Sequence, residues 1–129
     1  MVNFRATSEG NIPFTEEEEA AWQAEQDAWQ AEAPAAAAQA LQASIIAATQ
    51  VRLDMFAKTR NYDGILSAAT YATSAIPKFA AEGQAAVAAR DQTWAALYAL
   101  MGEVQAGALP MPASFDEVEA LLPTLAWPV

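Results

Sequence analysis

KFAAEGQAAVAARDQTWAALYALMGEVQ, residues 78–105, sets Phe79, Val87, Trp94, Leu97, Met101 and Val104 at helical spacing with no internal proline. One long helix is therefore expected from Lys78 to Gln105, and Gly107 supplies its stop. Working back, Asn61-Tyr62-Asp63-Gly64 reads as a turn, with Asp63 capping a helix from Gly64 to about Ser74 that Pro77 ends. Before that turn a helix from about Ala35 to Lys58 places Ile46, Leu53 and Phe56 on one face. Leu41, Ile45, Ala48 and Met55 widen that face.

Thr15 with Glu18 forms a capping-box pattern, and four glutamates in the following turn suit the positive end of a helix dipole. A helix therefore starts at Glu16, and Pro34 is expected to stop or kink it. Residues 1–14 carry Gly10, Asn11 and Pro13 without a period and read as a loop or a short extended arm. On the other side, Ser114 with Glu117 repeats the capping box and opens a short helix to Leu122, closed by Pro123. Thr124 to Val129 should be extended and pinned by Leu125 and Trp127. Strand alternation is confined to very short stretches near the ends. The expected fold is all-α: a small helical bundle with a protruding N-terminal helix and few or no strands. Its division would be residues 1–33, an arm and acidic docking helix, and residues 34–129, a compact helical domain.

A chain of 129 residues fits one modest core. Alanine supplies much of the 54% apolar content, so helices must approach closely, and Phe56, Phe79, Trp94, Leu97, Tyr98 and Met101 would carry most of the burial. The net charge is −10; residues 1–33 hold eight acids and one base, residues 34–129 eight acids and five bases. Six dispersed Lys and Arg cannot build the basic patch that nucleic acid or an anionic membrane requires, so neither is an expected partner. No stretch approaches the run of about 20 apolar residues that spans a bilayer, and MVNFRATSEGN lacks a signal-peptide core. Residues 35–49, apolar but broken by Gln39, Gln42, Ser44 and Thr49, read as a close-packed helix.

Cys and His are absent, which removes thiolate and imidazole chemistry, disulfides and the usual zinc sites. Ser67 and Thr70 lie one turn apart near Lys58, Arg60 and Asp63, but hydroxyls inside a helix usually bond back to the preceding turn. The acids Asp116, Glu117 and Glu119, like Glu16 to Glu19, sit at helix starts, where dipole and solvation account for them. There is neither a calcium loop nor a phosphate-binding glycine loop. No catalytic, cofactor or metal residue is assigned, and the chain is read as a non-enzyme. Arg90 and Trp94, four apart, leave a cation–π contact open, and Asp91 could pair with a neighbouring helix; both read as a structural clasp.

AWQAE occurs at residues 21–25 and again at 28–32. This repeat puts Trp22 and Trp29 on one helix face, with Ala21, Ala24, Ala28 and Ala31 in coiled-coil rhythm, although two heptads fall short of a firm coiled coil. The face, with Ala21, Ala28 and Glu25 beside the tryptophans, either meets a partner or folds back on the rest of this chain.

Arg52-Leu53-Asp54, Arg60, Tyr62-Asp63, Ser67, Tyr71-Ala72, Lys78-Phe79, Glu82-Gly83, Arg90-Asp91, Trp94, Tyr98, Pro112 to Ser114 and Leu122-Pro123 follow one another in a fixed order. Their combination resembles a module at the C-terminal end of small bacteriophage tail proteins, usually described as tail-fibre or tail-assembly accessory proteins. The resemblance spans residues 50–128, and NIPFTEEEEAA at residues 11–21 is similar to the approach to the preceding helix in such proteins. The long alanine-rich join at residues 33–49 departs from the pattern and bears on whether the arm meets the same partner. The resemblance implies phage origin, a tail-fibre or baseplate protein as partner, no enzymatic activity and no cofactor. It also implies a place in the virion tail, reached from the host cytoplasm during assembly, and is compatible with a homo-oligomer. Arg52, Tyr62, Asp63, Phe79, Arg90, Trp94 and Tyr98 are read as structural; separately from the resemblance, the acidic helix with its spaced tryptophans is expected to dock through Trp22 and Trp29, with residues 50–128 as the stable body. An assembly chaperone that leaves after the fibre forms is the nearest alternative. An acidic inhibitor mimicking nucleic acid is a weaker one, because these carboxylates cluster at helix starts instead of spreading along a face at phosphate-like intervals.

Overall fold

The computed structural model describes residues 4–8 and 10–129. In chain order its elements are β1 (Phe4–Thr7), β2 (Gly10–Pro13), α1 (Glu16–Lys58), α2 (Ile65–Ala69), a 3₁₀ turn (Thr70–Thr73), α3 (Pro77–Gln105) and α4 (Phe115–Glu119). The fold is predominantly helical, and β1 and β2 form its one sheet among the described residues. Two compact units divide the chain, one ending at Ala40 and the other running Leu41–Val129. The boundary falls inside α1.

In the first unit the stretch expected to be a loop or extended arm is an antiparallel hairpin, with Phe4 opposite Pro13 and Arg5 opposite Ile12. Residues 1–3 and 9 of that stretch lie outside the described residues. Two strands alone are marginally stable; here the Thr7 hydroxyl donates to the Gly10 carbonyl (2.7 Å), and the Arg5 guanidinium pairs with Glu18 in the first turn of α1. Glu18 also completes the expected capping box. The Thr15 backbone N–H donates to Glu18 Oε2 (3.0 Å), and the Glu18 N–H donates to Thr15 Oγ1 (3.2 Å).

Pro34 does not end the helix, contrary to expectation: α1 runs through it as one element. Proline removes a single donor, the one that would serve the Gln30 carbonyl. Gln30, Ala31 and Pro34 are all exposed, so water can satisfy that carbonyl, and Ala33 and Ala35 to Ala38 flank the break with the best helix formers.

In the second unit α1 buries Ile45, Thr49, Leu53 and Ala57, a row spaced every four residues, while Ile46 and Met55 stay exposed. Of the expected face, Ile45 and Leu53 are buried, and Leu41, Ala48 and Phe56 are half-buried. Along α3, Ala89, Thr93 and Leu97 repeat the same spacing. Leu53, Ala57, Ile65, Ala68, Ala86 and Ala89 form one core cluster, and Ile45, Leu97, Val118 and Leu122 a second, with Trp94 packed against both.

Both long helices of this unit end in the same hydrogen-bonded stop. Asn61, at φ 67°, follows α1, where the Tyr62 N–H donates to the Ala57 carbonyl (3.3 Å) and the Asn61 N–H to Lys58 (3.1 Å). Gly107, at φ 79°, follows α3, with Ala108 donating to Glu103 (2.9 Å) and Gly107 to Val104 (3.1 Å). These are Schellman motifs, which need a left-handed residue and so favour Gly or Asn.

Two capping expectations are corrected. Asp63 does not cap α2; the residue before it is Gly64, and Asp54 of α1 supplies the carboxylate that accepts the Ile65 N–H (2.9 Å). Ser114 makes no side-chain cap bond to α4, and Glu117 instead accepts the Ala113 N–H (2.8 Å). Residues 64–74, expected as one helix, split into α2 and the 3₁₀ turn. Pro77, expected as a terminator, opens α3 at its first position, where its missing N–H costs nothing. The tail after Pro123 has no regular structure, and Leu125 and Trp127 pin it against the first core cluster.

Candidate functional site

On the first unit, Ala21, Trp22, Glu25, Ala28 and Trp29 are all exposed. Trp22 shows 38% of its surface and Trp29 66%. Beside them the Gln23 amide donates to Asp27 (2.9 Å), an i,i+4 bond that holds this stretch of helix. Single exposed apolar side chains are ordinary; two indoles seven residues apart on one helix offer a large contact area that surrounding side chains leave open.

On the second unit the residues of the ordered series act mostly as joints between elements. Arg52 of α1 donates through Nη2 to the Pro123 carbonyl (2.7 Å), and its Nε lies 3.4 Å from Glu119 of α4. Gly83 of α3 packs directly on the backbone of Tyr71 and Ala72. Arg60 faces the buried Glu82 carboxylate at 3.7 Å and lies over the Trp127 indole, 5.5 Å from its centroid. Trp127 stacks on Phe56 at 4.2 Å and donates its Nε1–H to the Thr59 hydroxyl (2.8 Å). Tyr62 and Tyr71 (5.4 Å) and Tyr71 and Phe79 (5.8 Å) continue the aromatic chain toward the surface. Burial, then the Glu82 and Tyr71 charges, push the Tyr62 phenol above its ordinary value, while Arg60 opposes them.

Phe79 and Tyr98, expected among the buried aromatics, are exposed; Tyr98 shows 64% of its surface and lies tilted against Trp94 (6.3 Å between centroids). Phe56 and Trp94 are half-buried against the core. The expected Arg90–Trp94 cation–π pair is not formed; the one among the described residues is Arg60 over Trp127. Asp63 is exposed and is not among the joints. The Arg60 contact of Glu82 and the stacking of Trp127 on Phe56 were not signalled by local pattern, since each partner lies far away in the chain.

Thr70 Oγ1 donates to the Ser67 carbonyl (2.6 Å), the back-bonding that occupies a helical hydroxyl. Among the described residues no group of three or more His, Cys, Asp or Glu side chains could hold a metal ion, and no helix is long and apolar enough to cross a membrane. An apolar groove of about 170 Å³ opens between the end of α3, the connection after it, and α4. No family model matches the chain, and neither a curated protein nor a solved structure is significantly similar to it.

Proposed function

We propose that this chain is a non-enzymatic bacteriophage tail protein, an adaptor that holds a tail-fibre or baseplate component through the tryptophan-bearing face of α1. The observation that carries the reading is the exposed pair Trp22 and Trp29 on the acidic first unit. Large aromatics are the residues most often found to anchor protein interfaces. The ordered residues of the second unit support the division of labour, because Arg52, Arg60, Tyr62, Glu82 and Gly83 are spent on joining elements of a stable body. The phage setting rests on the resemblance of residues 50–128 to tail accessory modules.

Replacing both tryptophans, Trp22→Ala with Trp29→Ala, should weaken binding to the fibre or baseplate partner by about tenfold or more. Thermal unfolding of the second unit should stay nearly unchanged. Intact docking together with loss of the fold would sink the assignment. Quantifying the polypeptide in purified particles against the tail-tube subunit separates the two modes of action: fixed stoichiometry fits an adaptor, and absence from particles despite abundance in infected cells fits a chaperone.

A further inference from the structure

We infer that the groove at the end of α3 is a second docking site, independent of the arm, whose occupant is a basic peptide segment bearing one large apolar anchor. Leu100 and Val104 of α3, Leu109 and Pro112 of the connection, and Val118 and Leu121 of α4 line it. At about 170 Å³ it is below the range of roughly 300–1,000 Å³ that small-molecule sites occupy, and suits a single large side chain. Of its lining residues, Leu121 is exposed, so the slot opens to solvent.

The walls are preformed. Gly107 closes α3 with its Schellman stop, Leu109 donates its N–H to the Glu103 carbonyl (3.3 Å), two prolines stiffen residues 110–112, and Glu117 ties down Ala113. A site that needs no ordering on binding retains more of its contact energy.

Charge selects the occupant. From Asp91 to Val129 the chain has five acids, Asp91, Glu103, Asp116, Glu117 and Glu119, and no Lys or Arg. Glu117 lines the groove itself, Asp116 adjoins it on α4, and Glu103 precedes Val104. The cation brought to α4, Arg52, is committed to Glu119 and the Pro123 carbonyl. An apolar slot with Glu117 in its lining, set in a stretch of chain that has acids and no base, therefore favours Lys or Arg on either side of the anchor. A second copy is disfavoured by its own net charge of −10, and of the five bases between Arg52 and Arg90 it could offer, Arg52 and Arg60 are already paired with Glu119 and Glu82.

The probe is a short fluorescently labelled peptide with one leucine anchor between lysines, titrated into the full chain and read by anisotropy. Leu121→Lys, at a site with 60% exposure that the fold can spare, should weaken binding about tenfold with an unchanged melting curve. Glu103→Gln with Asp116→Asn should weaken it similarly, and the Trp22→Ala, Trp29→Ala protein should bind as the parent does. Equal binding of the same peptide with an alanine anchor would overturn the inference by reducing it to bulk charge attraction. Undiminished binding to Leu121→Lys would do the same. So would a concentration-dependent dimer that Leu121→Lys converts to monomer, which would assign the groove to a second copy.

Discussion

A Cβ added at Gly83 would stand 2.2 Å from the Ala72 nitrogen and 2.4 Å from the Tyr71 carbonyl carbon, both backbone atoms of the 3₁₀ turn. Neither can rotate aside as a side chain could, so α3 would have to lift from the turn it packs on. On the same helix a Cβ at Gly102 meets nothing within 4 Å. Glycine inside a helix costs about 0.5–1 kcal/mol relative to alanine, so the two positions separate propensity from packing. Gly102→Ala should stabilise the second unit by about that amount. Gly83→Ala gains the same propensity, but overpacking against backbone costs about 1–3 kcal/mol or more, and the net should be a loss of about 2 kcal/mol. Urea unfolding of both variants checks this. A Gly83→Ala protein as stable as Gly102→Ala would mean that α3 does not approach the turn so closely.

Among the elements, α1 shows what local pattern can and cannot reveal. Its start was legible because Thr15 and Glu18 are three residues apart and satisfy each other's donors, and the stop of α3 was legible because Gly107 alone suits a left-handed turn. The N-terminus of α2 was not, since its carboxylate comes from Asp54, eleven residues before Ile65 and on another helix. The tryptophan pair was visible as a repeat within one element; the groove was not, because three segments each contribute residues that look like ordinary core. Of the two effects expected of Pro34, a stop or a kink, the stop does not occur, because its effect depends on solvation and exposed surroundings soften it. It still removes a hydrogen bond and crowds the preceding turn, a cost of about 3 kcal/mol in a helix interior. Pro34→Ala should therefore strengthen α1 between Gln30 and Ala38, and amide exchange there should slow markedly. Exchange rates unchanged by the substitution would show that proline imposes no local weakness on the helix.

For the molecule as a whole, the buried cores and the exposed tryptophan pair lie in different parts of one chain. Both core clusters, the Arg52 and Arg60 joints and the Trp127 stack lie within Leu41–Val129. In the first unit every described residue is exposed or partly so, and its hairpin is held to α1 by Arg5 and Glu18. A polypeptide of residues 41–129 should then fold alone and melt cooperatively. Cutting before Leu41 leaves the first four N–H groups of the shortened helix without partners, and a missing cap costs about 1 kcal/mol. For a domain of this size that corresponds to a fall in Tm of about 4–8 °C relative to the full chain. Calorimetry of the two polypeptides measures it directly. A much larger fall, or a fragment that does not fold, would show that residues before Leu41 contribute to the stability of the second unit, and the arm could no longer be treated as a separable docking element.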